Sequence, residues 1–332
     1  MKKLLVLTLV LLSFNNLLNA QVNISPLYLY DRIDPFKPKI IAKLKSSTLA
    51  FFYRKVDEDK LDEFKKAAQT WDLTKIEFIP LDKYDEYKKK DNYSYFAPTF
   101  FTTTDGSPNI VYGLWLNNGD KKRFKIASIP LEIARESYEV LKKNRTESKS
   151  KDDEQANFIQ LFYTQLLFKN FMPGNVKMYL AQLNTYLKNG DTKKLYNDVA
   201  PDENELPKLK EKTLYVPRDV IELSPLFAKS YDSNHNYTPE TMASEMKRVF
   251  SSYPYAIKLI ENNELSDLIM NAKEDTYFLQ GDLGRGTITK GYIGVVNAKT
   301  GKVIYGDTRV ILSLKPGHFE DLIKKINGDF KK

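Results

Sequence analysis

The stretch Ser47–Leu81, STLAFFYRKVDEDKLDEFKKAAQTWDLTKIEFIPL, decides the fold. Leu49, Phe51 and Tyr53 alternate with Ala50 and Phe52, as in a strand buried on both faces. Asp57 or Asp59 can then cap a helix on which Leu61, Phe64, Ala68 and Trp71 recur at helical spacing. KIEFIPL (75–81) is a second apolar strand. Two strands joined through a helix imply a right-handed crossover and a parallel pair.

Reading outward, DKYDEYKKK (82–90) forms a short helix with Tyr84 and Tyr87 on one side. The strand YSYFAPTFF (93–101) follows. A hairpin comes next, with arms NIVYGLWL (109–116) and RFKIASIPL (123–131), and Asn118-Gly119 supplies its turn chemistry. A helix after Pro130, LEIARESYEVLKK, closes the unit. The same order recurs from KTLYVP (212–217). Its helix, TPETMASEMKRVFSSY (238–253), is capped by Thr238 with Pro239 at the first position. AIKLI, NNELSDLIMNA and TYFLQGDLG then supply strand, helix and strand. A hairpin turning at Ala298–Gly301 follows, and then the helix GHFEDLIKKIN.

Anchors match across the two units at nearly constant spacing. Ile76 matches Ile257, Tyr95 and Phe96 match Tyr277 and Phe278, and Pro130 matches Pro316. Phe64, Ala68 and Trp71 match Met246, Phe250 and Tyr253. The expected class is α/β with mixed sheets, built as two β-α-β-α-β-β-β-α units from an internal duplication. This element order resembles the small α/β modules of bacterial envelope proteins of the TolB N-terminal, CsgG and LpoB type. The resemblance rests on order alone, so it implies a fold and an envelope setting and assigns no residue.

The N-terminus supports that setting. Lys2 and Lys3 precede the apolar run Leu4–Phe14, and a polar stretch ends at Ala20, so residues 1–20 read as a secretory signal. No later run is long enough to span a bilayer. The chain of 332 residues carries a formal charge of +8, and loss of the two leader lysines lowers it by two. The chain holds no Cys, which excludes disulfides, zinc-thiolate sites, thiol nucleophiles and a lipid-modified N-terminal Cys.

Between the units, Asn144–Glu154 (NRTESKSKDDE) reads as a linker. Two apolar helices follow, 155–171 and 175–189. The first presents Phe158, Leu161, Phe162, Gln165, Leu166 and Phe168. The second presents Val176, Tyr179, Leu180, Leu183 and Leu187. A hairpin this apolar must pack between the units or on a partner. The expected organisation is therefore a signal at 1–20, a first α/β unit with an N-terminal arm at 21–145, linker and hairpin at 146–205, and a second unit at 206–332.

Chemistry is sparse. Gly281-Asp-Leu-Gly284-Arg-Gly286 lacks the phosphate-reaching Lys and opens no helix, so it reads as a turn or bulge between strands. His235 sits in a polar loop and His318 near a helix start. The acidic run Asp198, Asp202, Glu203, Glu205 lacks the spacing of a calcium loop. The aromatic strand 93–101 reads as core in preference to a glycan-stacking face. Lys88, Lys89, Lys90, Lys121, Lys122 and Arg123 form two basic clusters in turns, the candidate surface contacts. No catalytic residue, metal or cofactor is indicated. The expectation is a non-catalytic, exported envelope or periplasmic binding or assembly module. Its partner is an envelope protein or an anionic cell-wall or lipid component, and nucleic acid is not expected. The alternatives are a carboxylate-dependent glycan hydrolase and a binder of a small ligand held by the two units.

Overall fold

The computed structural model describes residues 38–102, 108–117, 123–190, 198–224, 226, 238–284, 290–310 and 313–330. His235, Lys121 and Lys122 lie outside them. The chain divides into two compact units at Lys194/Leu195, so the helices that follow the first sheet lie with the first unit.

In the first unit, α1 (Pro38–Ser46) leads into β1 (Thr48–Tyr53), α2 (Leu61–Ala67) and β2 (Ile76–Pro80). Next come the one-turn helix α3 (Tyr84–Tyr87), β3 (Tyr93–Thr102), β4 (Pro108–Asn117) and β5 (Arg123–Pro130). The sheet order is β2-β1-β3-β4-β5, with β1 parallel to β2 and β3 and the last three strands antiparallel. Phe51 decides one face. It stands 6.3 Å from Phe64 of α2, 5.3 Å from Phe96 and 6.1 Å from Tyr112, ring centre to ring centre. Phe52 decides the other, meeting Tyr84 and Tyr87 of α3 edge-on and sharing a cluster with Tyr95.

Three helices complete this unit: α4 (Arg135–Glu147), α5 (Lys151–Thr164) and α6 (Pro173–Asn189). The expected linker is mostly helical. Residues 144–147 end α4, and Ser150 caps α5 by accepting from Asp153 N–H at 3.1 Å. Asp152, Asp153 and Glu154 then fill the first turn, where carboxylates favour the positive end of a helix. The polar residues that suggested a linker are those that start this helix. α6 packs along α2, which is too short to cover the sheet alone. The stripe Val176, Tyr179, Leu180, Leu183 and Leu187 is buried there, and Gly190 ends the helix at φ 74°. α5 stops at Thr164, before the expected end. Phe162 and Leu166 are buried, whereas Phe158 and Leu161 are half-buried.

The second unit runs through β6 (Leu214–Pro217), α7 (Arg218–Ile221), α8 (Pro239–Val249) and β7 (Ile257–Ile260). α9 (Asn262–Asn271), β8 (Tyr277–Gly284), β9 (Lys290–Asn297), β10 (Val303–Val310) and α10 (Glu320–Ile326) complete it. Thr238 caps α8 through Thr241 N–H, with Pro239 at its start. The sheet order is β7-β6-β8-β9-β10, again two parallel pairs and then two antiparallel ones. Both units thus have one strand order and one set of directions.

The agreement extends to an irregularity. Leu114 faces Ala127 and Trp115 faces Lys125, which leaves Ile126 as a bulge. Val295 faces Tyr305 and Val296 faces Val303, which leaves Ile304 as a bulge. Aligning the bulges pairs Leu114 with Val295, Gly113 with Gly294 and, across the next ladder, Phe96 with Leu279. The anchors Tyr95 and Phe96, matched to Tyr277 and Phe278 by spacing, are therefore one residue out of step. Tyr95 lies on the α3 face, but Tyr277 lies in the core beside α8. A one-residue slip turns a strand over.

Candidate functional site

Asn117 brings the basic end of the first sheet together. It is buried at the end of β4, and its Nδ2 donates to Lys88 O at 2.7 Å and Lys90 O at 3.4 Å. Asn117 also pairs with Arg123, the first residue of β5. The loop Lys88–Lys90 and the start of β5 therefore meet at one end of the sheet.

The three lysines are not equivalent. Lys88 pairs with Asp85 and lies 5.3 Å from the Tyr84 ring. Lys90 pairs with Glu86 at 2.8 Å and lies 3.6 Å over Tyr87 and 5.8 Å from Tyr93. Hydrogen bonds from these lysines hold the Asp85 and Glu86 carboxyls below the usual range. The local excess of positive charge thus falls to Lys89, which is exposed. The side chains of Tyr84, Tyr87 and Tyr93 serve as a platform for the lysine stems and close the α3 face. Tyr93 donates to Glu77 at 2.8 Å, and that bond pushes its hydroxyl up to about 12. Tyr95 and Phe96 are buried on opposite faces, as expected for core.

Among the described residues Lys125 is a further cation near this end. It is half-buried in the bulged part of β5 with its ammonium 5.2 Å from the Trp115 ring, and burial pushes it down to about 8. β5 is the last strand of the sheet order, where an inward-turned lysine and a bulge oppose pairing with another sheet. A lysine held below its ordinary value is neutral when folded but charged when unfolded between about pH 8 and 10.5. The unfolded chain binds the extra proton in that window, so this residue's contribution to stability rises with pH across it. Lys125→Met should gain on the order of 1–2 kcal/mol at pH 7, allowing for partial exposure. The difference in melting temperature between the two proteins should shrink as pH rises through the window. A constant difference would remove the effect.

The acidic run of the second unit is spent on structure. Asp198 Oδ1 accepts from Thr308 N–H at 2.9 Å. Asp202 pairs with Lys302 and accepts the backbone N–H of Asn204 and Glu205. Asn297, fully buried, donates to Glu205 at 2.8 Å and Asp275 at 3.1 Å. Lys208 pairs with Asp275 at 2.7 Å. Glu203 is exposed. Among the described residues no three His, Asp or Glu are grouped to hold a metal ion. Elsewhere, burial holds the Asp307 carboxyl above its usual range beside Arg309. His318 Nδ1 accepts from Lys315 N–H at 3.1 Å, and burial followed by Arg309 and Lys315 keeps its imidazole below its usual value.

Arg54 was not visible as a special residue. It follows β1 directly and is 1% exposed. It makes two parallel bonds of 2.8 Å to Asp57 and donates to Leu166 O at 2.6 Å. Its guanidinium lies 5.1, 4.7 and 5.7 Å from the rings of Phe162, Phe168 and Phe171. The only local sign is an acid three residues after an arginine; the aromatic partners are remote in sequence. No family model, curated protein or solved structure matches this chain.

Proposed function

We propose that the protein is an exported, non-catalytic binding module whose two α/β units arose by internal duplication, and which engages an anionic envelope component through the basic end of its first sheet. The duplication is supported by the shared strand order, register and bulge at Ile126 and Ile304. Export rests on the n-, h- and c-region pattern of residues 1–20. The binding surface rests on one observation: Asn117 ties the Lys88–Lys90 loop to the strand end from which Arg123 departs.

The partner chemistry is a polyanion, since flexible lysines read charge density in preference to shape. Lys88 and Lys90 are already neutralised by neighbouring acids, so within this loop Lys89 should carry most of the attraction, next to the sequence cluster Lys121, Lys122 and Arg123. A basic residue near an anionic surface is worth about 1 kcal/mol. Lys89→Gln combined with Arg123→Gln should weaken co-sedimentation with phosphatidylglycerol vesicles or with cell-wall sacculi by roughly thirtyfold at low salt. Loss with one material alone identifies the source of the anion. Unchanged sedimentation with both would return the lysines to a solvated loop.

A further inference from the structure

Each sheet has two outer strands, and the two are not alike. β5 carries the bulge at Ile126 and the half-buried Lys125. β10 carries the bulge at Ile304, and Val199 exchanges backbone hydrogen bonds with its Gly306, at 2.9 and 3.2 Å. Bulges, an inward lysine and a covering segment all oppose pairing with another chain. Among the described residues, β2 and β7 carry none of these guards. Each keeps an unbroken register against its one neighbour, β1 or β6.

The ladders fix which backbone groups these two strands leave over. Leu49 N–H donates to Lys75 O at 2.8 Å, and Leu214 N–H donates to Ala256 O at 2.9 Å. Alternate residues of a parallel strand bond inward, so Lys75, Glu77 and Ile79 serve β1, and Ala256, Lys258 and Ile260 serve β6. Ile76 and Phe78, like Ile257 and Leu259, turn N–H and C=O outward. Their side chains are only half-buried. Phe78 stands 4.8 Å from the Phe51 ring on the α2 face, and Ile257 and Leu259 pack on the core that includes Phe250 beside α8. Pro80 has no N–H and ends the outward run on β2. Glu261 N–H is taken by Glu264 at 3.0 Å, which ends the run on β7.

We propose that β2 of one copy of this chain pairs antiparallel with β7 of a second copy, with Ile76 opposite Leu259, Glu77 opposite Lys258 and Phe78 opposite Ile257. Ile76 and Leu259 exchange two backbone bonds, and Phe78 and Ile257 exchange two more. The four apolar side chains share the face of α2 and α8, and Glu77 and Lys258 share the other. Charge selects this pairing. Either strand paired with its own copy on the same four residues sets Glu77 against Glu77 or Lys258 against Lys258, and like charges directly opposite destabilise a ladder. Lys258 is exposed. Glu77 holds Lys75 at 2.7 Å and accepts from Tyr93 at 2.8 Å, and a carboxylate with about four acceptor positions has room for a further donor. Two different edges meet, so each copy in a pair keeps one edge of each kind and association continues head to tail.

Sedimentation of the full chain over a concentration series tests the pairing. The parent should self-associate reversibly, and Lys258→Glu or Glu77→Lys alone should weaken this roughly tenfold by setting like charges opposite. An equimolar mixture of the two variants should regain the parent's association, because every contact between them again joins opposite charges. The chain has no Cys, so single introduced cysteines report the register. Residues 77 and 258 would form a pair without mutual hydrogen bonds, with Cα atoms about 4.5 Å apart and within reach of a disulfide. A mixture of Glu77→Cys and Lys258→Cys chains should therefore oxidise to the mixed dimer in excess over either like dimer. A parent that stays monomeric at every concentration reached would overturn the proposal. So would association that ignores both charge changes, or like and mixed dimers in statistical proportion.

Discussion

Arg54→Ala should destabilise the protein by about 3–5 kcal/mol, the cost of breaking a buried ion pair by removing one partner. Three losses coincide. Asp57, 7% exposed, keeps its carboxylate without its two guanidinium bonds. The Leu166 carbonyl loses its 2.6 Å donor, and an unmet buried acceptor is costly. The rings of Phe162, Phe168 and Phe171 then face a void. Arg54→Lys keeps the charge but lacks the planar fork, so it should fall between the parent and Arg54→Ala in urea melts. Equal stability of Arg54→Lys and the parent would show that charge alone matters. Parent-like stability of Arg54→Ala would remove Arg54 as the tie between β1 and the turn after α5.

Phe162→Ala tests the same tie from the helical side, with an expected cost of about 3–5 kcal/mol. Phe162 is 1% exposed, packs against Phe168 at 5.7 Å and lies under the Arg54 guanidinium. Were α5 a docking arm for another protein, truncation would leave the melting curve nearly unchanged. Ile159, on the same helix and 52% exposed, provides the control. Ile159→Ala should shift stability by about 0.5 kcal/mol or less, as surface changes do. A small effect at Phe162 together with a large one at Ile159 would reverse the packing described for α5.

These two sites also mark where sequence reading ends. The alternation at Leu49–Tyr53 and the helical spacing of Phe64, Ala68 and Trp71 sufficed for element order, because each signal is local. Register was not local. Tyr95 and Tyr277 match in type and spacing yet face opposite sides, since one residue of slip costs nothing in a sequence match and reverses a strand. The polar stretch at 144–154 misled for a different reason: Ser and Asp are favoured both in linkers and at helix starts. Lys88 was read with Lys89 and Lys90 as one basic cluster, whereas the structure pairs Lys88 with Asp85 and Lys90 with Glu86, three and four residues back. That Lys88–Lys90 meets Arg123 was not legible, because Asn117 makes the connection across the fold. Arg54 needed the most remote information, as its ring and carbonyl partners arrive from 162–171.

The central claim is that the basic end of the first sheet binds a polyanion. Its most direct measurement is the binding isotherm of the chain lacking residues 1–20 on phosphatidylglycerol vesicles, on neutral phosphatidylcholine vesicles and on sacculi, each at low and high salt. The account predicts saturable binding to at least one anionic material, weakened at high salt, reduced by Lys89→Gln with Arg123→Gln, and absent on the neutral surface. No binding to either anionic material at low salt, or binding that neither salt nor the double substitution alters, would contradict it.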